Sequence, residues 1–191
     1  MIRYKLSLDG PCLAFRVFIL LTIGAFIQGC MNDLGHHRNK AINQQVSDTE
    51  QYLLDGDALF NKGQYDKAIA PYSKALEMVK TNRYLLSETN WRILVDNLGV
   101  SYANTGRLQN AKETFEYGIS RNPTYPLFYY YIACFHAEMN DMDNTLAYLK
   151  QAFAYKWNVI AGEKMPDPRG NPCFRRFLSN EQFLGSLNEL K

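Results

Sequence analysis

Asn97 to Pro123 reads NLGVSYANTGRLQNAKETFEYGISRNP, and its small residues fall where a helical hairpin needs them. Gly99 removes a side chain where two helices must pass closely, and Ala111 does the same on the second helix. Gly106 stands between the two halves, where a turn needs the positive φ that glycine adopts cheaply. Leu98, Tyr102, Leu108 and Phe115 supply the apolar face. Pro123 stops the second helix, because the residue before a proline is pushed out of the α region.

The same arrangement recurs on both sides. Thirty-four residues beyond Ala111 lies Thr145, inside YYYIACFHAEMNDMDNTLAYLKQA. There Tyr129, Ile132, Ala133, Leu149 and Ala152 repeat the phases, and Asn140-Asp141 stands in for the turn glycine. Upstream, YLLDGDALFNKGQYDKAIAPYSKALEMV carries Gly56, Gly63, Tyr65, Ala68, Tyr72 and Ala75 in register. Nine extra residues around Thr81–Asn90 separate that copy from the central one. Pro71 falls inside the second helix of the upstream copy, where it costs about 3 kcal/mol unless the helix bends. A kink is expected there.

This pattern resembles the tetratricopeptide repeat (TPR), a 34-residue helix–turn–helix unit. The resemblance extends from Gln51 to Ala154. Asp55, where the family usually has leucine, and Pro71 depart from it. The resemblance implies an all-α fold: three TPR-like helical hairpins in a short right-handed superhelix, closed by C-terminal capping helices. The helices are expected at about 48–61, 65–79, 86–104, 108–120, 126–138 and 142–155. The repeats are expected at about 49–82, 92–125 and 126–156, within a domain of residues 47–156.

The chain of 191 residues is long enough for one domain with appendages. Hydrophobic residues make up 47% and aromatics 14%, which suffices for a packed core. The formal charge is +2. Arg3, Lys5 and Arg16 against Asp9 account for it, so the remainder is balanced and offers no electrostatic footprint for nucleic acid.

Residues 1–29 read as a signal peptide. The basic residues precede an apolar run, Val17–Ile27, that is too short to span about 30 Å of hydrocarbon comfortably. The run ends in Ile27-Gln28-Gly29-Cys30, which resembles the lipobox of bacterial lipoproteins. That resemblance implies cleavage before Cys30, a diacylglyceryl group on its thiol, and anchorage in a lipid bilayer by two or three acyl chains. Met31, in place of the aspartate that retains enteric lipoproteins in the inner membrane, favours the outer membrane, with the domain facing the periplasm. An uncleaved membrane anchor with an incidental cysteine is the alternative.

Residues 30–46 are polar and lack hydrophobic periodicity, so a flexible tether is expected. His36-His37 lies in it, but no cysteine or carboxylate cluster completes a metal site. Ser47-Asp48-Thr49-Glu50 fits a capping box and predicts the first repeat helix from near Asp48.

In a stack of such hairpins the concave groove is the place to bind. By phase it is lined by Leu53, Asp57 and Phe60 of the first repeat, Asp96, Asn97 and Val100 of the second, and Tyr130 and Tyr131 of the third. TPRs that clamp chaperone C-termini place lysines and arginines on these faces. Here the matching positions hold Leu53, Asp57 and Tyr131, with only Asn97 agreeing, so that class is excluded. The lining suits an extended or helical peptide with apolar anchors. The alternative is that these side chains face one another or the C-terminal segment.

Residues 157–191 form a loop followed by capping helices. Asn171-Pro172 opens one helix with Phe174, Phe177 and Leu178 on its apolar side. Ser179 is expected to cap the last, which carries Phe183, Leu184, Leu187 and Leu190. Arg175-Arg176 marks a solvated face. Beyond the leader and Cys30 the thiols are Cys134 and Cys173, which in an oxidising compartment can pair and staple the cover to the third repeat; two small buried side chains are the alternative. No P-loop, GxSxG, HExxH or CxxC is present. His136 and Glu138 lack a nucleophile, and the charged loop residues Glu163, Lys164, Asp167 and Arg169 would be the only candidates for a site in an enzyme or enzyme accessory subunit. No catalytic residue, metal, cofactor or small-molecule substrate is expected. The expected function is that of a non-catalytic, membrane-anchored scaffold for a protein or peptide partner in the cell envelope.

Overall fold

The computed structural model describes residues 11–190, with side chains from residue 35 onward. The chain divides into two compact units, Met1–Gln45 and Val46–Lys191. Arg3, Lys5, Arg16, the Val17–Ile27 run and Cys30 lie outside the residues whose side chains are described. Among the described residues no helix is long and apolar enough to cross a membrane.

The helix α1 spans Pro11–Phe60. This corrects the expected tether: residues 35–46 are helical, and residues 35–45 are exposed to solvent. The reason lies in the local sequence, since Lys40–Gln45 holds no proline or glycine and includes Lys40, Ala41 and two glutamines, which propagate a helix well. Lack of an apolar stripe argues against packing, not against helix. For the same reason Ser47 caps nothing, because the helix runs straight through it.

In the second unit, α1 continues to Phe60 and is followed by α2 (Tyr65–Thr81), α3 (Glu88–Asn104), α4 (Leu108–Arg121), α5 (Pro126–Glu138) and α6 (Met142–Ala154). These make the three expected hairpins. Their turns contain Gly63 at φ +70°, Gly106 at φ +75° and Asn140 at φ +58°. Asparagine is the side-chain-bearing residue best suited to that left-handed conformation, so the third turn keeps its geometry without glycine. Ser87 accepts from Asn90 N (3.1 Å) to cap α3, Asp141 accepts from Asn144 N (3.1 Å) to cap α6, and Pro126 opens α5. The helix α2 continues through Pro71.

Close helix approach follows the small residues. A Cβ on Gly56 would overlap the ring of Tyr72, one on Gly99 the ring of Phe115, and one on Gly118 the ring of Phe128. Each aromatic thus sits where the facing glycine leaves a hollow. One core runs from Leu53 through Tyr72, Trp91, Leu98 and Phe115 to Phe128 and Ile132. A second joins Tyr130, Ala133 and Leu149 of the third hairpin to Phe174, Phe177 and Phe183.

The C-terminal segment covers the third hairpin with two 3₁₀ turns, Pro168–Gly170 and Pro172–Phe177, and then α7 (Glu181–Glu189). The expected α-helix at Asn171-Pro172 is therefore a tighter 3₁₀ turn. Its phenylalanines at 174 and 177, three residues apart, lie on one side at that winding and both are buried. Asn180 caps α7 by accepting from Phe183 N (3.0 Å), in place of the expected Ser179. Cys134 and Cys173 are joined by a disulfide, Cα–Cα 5.5 Å, which ties α5 to the second 3₁₀ turn.

Candidate partner-binding groove

The first helices of the hairpins place the eight expected groove residues very differently. Leu53 is buried in the core, at 5% exposure. Asp57 and Asn97 are tied together: Asp57 Oδ1 accepts from Tyr72 OH (2.6 Å) and from Asn97 Nδ2 (3.1 Å). Burial first, and then the Asp57 carboxylate, hold the Tyr72 hydroxyl far above its ordinary range. Phe60 packs edge-on to Tyr65 and Tyr72 (5.2 and 6.4 Å between centroids). Asn97 thereby ties the second repeat to Asp57 and Tyr72 of the first, while Phe60 packs within the first.

Asp96 corrects the expectation of a groove-facing carboxylate. It is buried, and its Oδ1 has no hydrogen-bond partner among the described residues. Burial raises its carboxyl well above the usual carboxylate range, and the charge of Glu163 adds to this. Glu163 belongs to the loop after α6, where it accepts from Tyr125 OH (2.9 Å) and Ile160 N (3.0 Å). Ile160 and Met165 of that loop pack onto the first core. The chain's own loop therefore lies over the core beside Asp96.

Tyr130 also points elsewhere. It is fully buried, edge-on to Phe174 at 5.5 Å, within the core that joins α5 to the C-terminal cover. Burial pushes its hydroxyl up to about 12, an effect that the Asn171 side chain partly offsets. The cover claims the face of α5 that phase alone assigns to the groove.

Val100 and Tyr131 do meet in an open cavity of about 450 Å³, whose lining also includes Leu108, Lys112, Phe115 and Phe135. The Tyr131 ring stacks on Phe115 at 4.9 Å and forms the floor. Cys134 and Cys173 make one wall, and Asn104, Lys112 and Glu138 supply polar groups at the rim. Lys112 pairs with Glu116 (2.7 Å) and Glu138 with Arg176 (3.4 Å). An apolar floor with a few polar rim groups takes up an apolar side chain from an extended or helical segment.

Sequence reasoning missed Leu108, Lys112 and Phe135 as groove residues. The expected groove comes only from the first helix of each hairpin, which leaves out Leu108 and Lys112 of α4; Phe135 lies on such a helix, α5, but outside the phase assigned to the groove. The signal was present in Leu108, which continues the apolar face of the hairpin past its turn.

Other candidate groups have structural employment. Asp167 accepts from Arg169 N (3.0 Å), and Arg169 Nη2 donates to Asn188 Oδ1 (2.8 Å), so these loop charges hold the cover. His136 Nδ1 lies 3.2 Å from Asp141 Oδ2, and its ring stacks on Tyr148 at 5.2 Å. Among the described residues no group of three or more His, Cys, Asp or Glu gathers to hold a metal ion.

Two segments, residues 52–81 and 95–125, match the family model described as the tetratricopeptide repeat. They are the first two hairpins. Among solved structures the chain is similar to the crystal structure of the Sgt2 TPR domain from Aspergillus fumigatus, at a TM-score of 0.51 and 18% identity, over 74% of this chain and 80% of that one. At that identity the likeness shows the fold alone. No curated protein matches the chain. The chain thus contains TPR repeats in an all-helical TPR-like fold, an architecture that generally serves as a non-catalytic scaffold for binding proteins.

Proposed function

We propose that this chain is a lipoprotein of the bacterial cell envelope that holds a protein or peptide partner in the groove floored by Tyr131. The observation that carries the binding reading is the 450 Å³ cavity with its stacked Tyr131–Phe115 floor, left open where Asp96, Asn97 and Tyr130 are closed off. A partner inserts an apolar side chain between Val100, Phe135 and the Tyr131 ring, and the rim groups Asn104 and Glu138 meet its backbone or polar side chains. The repeats act without catalysis, by presentation, in the assembly of an envelope machine.

The envelope part of the proposal is supported by the Ile27-Gln28-Gly29-Cys30 sequence after a basic and then apolar leader. Acylation of Cys30 anchors the chain in a bilayer facing the periplasm, on the outer membrane given Met31. Intact-mass spectrometry of chain extracted from its native membranes, beside a Cys30→Ser variant, tests it. A mass beginning at residue 30 with two or three acyl chains, lost in the variant, is expected. A mass that retains Met1 overturns the lipoprotein reading and leaves an uncleaved anchor. The groove is tested separately by partner capture with Tyr131→Ala, which is expected to abolish it.

A further inference from the structure

The loops that follow each hairpin line up along one edge of the second unit. Arg121 Nη2 donates to Arg83 O (3.2 Å), which joins the end of α4 to the α2–α3 loop. Asn158 Nδ2 donates to Thr124 O (3.3 Å), which joins the segment after α6 to the α4–α5 loop. Residues 80–87, 121–125 and 155–158 are therefore neighbours in space, although far apart in sequence.

This edge is basic and aromatic. Lys80, Arg83 and Lys156 stand on it, and among the described residues none of them has an ion pair within 4.0 Å, whereas Arg121 is turned inward, its guanidinium 4.1 Å over the buried Trp91 ring. Its carboxylates are already engaged: Glu88 with Asn122 Nδ2 (2.6 Å) and Arg92 (3.7 Å), Glu163 with Tyr125 OH. The opposite ends of the hairpins differ. There Arg107 pairs with Asp66 (2.8 Å) and Arg176 with Glu138 (3.4 Å), so the charge is balanced locally.

The same edge carries the two most exposed large hydrophobic side chains of the described residues, Trp157 at 85% and Tyr84 at 82%. Each has a cation against its ring: Lys156 over Trp157 at 5.0 Å and Arg83 over Tyr84 at 5.5 Å. Exposing such rings to water is unfavourable by their whole apolar area. Aromatic rings beside lysine or arginine on a protruding edge are the combination that seats at the headgroup level of a bilayer. A fluid headgroup layer accommodates both rings at once.

We propose that this edge docks onto an anionic lipid surface, with Lys80, Arg83 and Lys156 meeting the headgroup phosphates and Tyr84 and Trp157 entering the interface. It goes beyond the groove and depends neither on the groove nor on acylation of Cys30. Docking by the edge fixes which way the concave face looks relative to the membrane.

The test follows the emission of Trp157 in the full chain mixed with vesicles of phosphatidylcholine alone or with phosphatidylglycerol added. Trp91 is fully buried and does not report. A blue shift of emission and quenching by bromine-labelled lipid are expected on the anionic vesicles alone, reversed by salt. The Lys80→Gln, Arg83→Gln, Lys156→Gln triple variant is expected to weaken the response roughly a hundredfold, at about fivefold for each cation. A chain held only through its N-terminal residues leaves Trp157 in water on both vesicles, which overturns the proposal. An equal shift on neutral vesicles also overturns it, because the cations then play no part. A shift with polyglutamate but not with vesicles overturns it in favour of an acidic protein.

Discussion

The ring of Tyr131 lies on that of Phe115, with centroids 4.9 Å apart and planes 21° from parallel. The pair joins α5 to α4, and so the third hairpin to the second. It is also the floor of the open cavity, so the contact that joins the hairpins is the one at which partner binding is proposed. Tyr131→Phe keeps the stack and is expected to leave the urea midpoint nearly unchanged. Tyr131→Ala removes a half-buried ring and is expected to cost about 2–3 kcal/mol, below the usual range for a fully buried aromatic. Equal midpoints for the alanine variant and the parent would show that the ring packs on nothing.

Gly99 and Gly185 make a matched pair for the close-packing argument. A Cβ on Gly99 overlaps Phe115, whereas one on Gly185 in α7 meets nothing within 4 Å. Gly99→Ala is expected to destabilise by roughly 1–3 kcal/mol through overpacking, despite alanine's better helix propensity. Gly185→Ala is expected to stabilise by up to about 1 kcal/mol. Thermal unfolding of the two variants, shifting in opposite directions, checks both at once; a shift in the same direction contradicts the packing account.

Asp96 makes the stability depend on pH. Its folded-state value is raised well above the ordinary 3.8, so the native state favours the protonated acid. Below the unfolded value both states are protonated and no penalty applies. As pH rises above it, the unfolded chain ionises first and stability falls, by up to about 1.4 kcal/mol for each pH unit until the folded-state value is passed. Asp96→Asn removes this titration. The variant is therefore expected to gain on the parent between about pH 4 and neutrality, and the gain to vanish towards pH 4. Urea midpoints of both chains across that range measure it, and a gain independent of pH would mean that Asp96 is ionised in its site.

The Cys134–Cys173 disulfide closes a loop of sequence separation 39 that contains α6, the segment after it and the first 3₁₀ turn of the cover. Loop-closure entropy sets its contribution at about 4 kcal/mol as an upper figure. Reduction, or Cys173→Ser, is expected to lower the urea midpoint and to speed amide exchange in residues 168–190 more than in α2 and α3. Uniform exchange rates before and after reduction would show that the cover holds itself on.

The hairpins were legible because their determinants are local. Gly106 at its turn and Gly99 opposite Phe115 act through backbone geometry and one helix–helix contact, which spacing reveals. Tyr130 and Tyr131 were not separable, since adjacent residues on a helix differ by about 100° and only the position of the cover decides which faces the core. Asp96 was misread for a related reason. The Ile160–Met165 loop that buries it has no periodicity from which its path could be read. The tether failed as an expectation because polarity predicts exposure, and residues 35–45 are exposed and helical together.

In the proposed function a partner enters the cavity between Val100, Phe135 and Tyr131. A photoreactive amino acid placed at Val100 in the full chain, and for comparison at Glu113 on the exposed face of α4, tests it most directly in the native cell. One discrete adduct is expected from position 100, absent from position 113 and lost when Tyr131→Ala is added. Equal adducts from both positions, or an adduct at position 100 that survives the loss of the Tyr131 ring, would contradict it and move the binding surface elsewhere on the repeats.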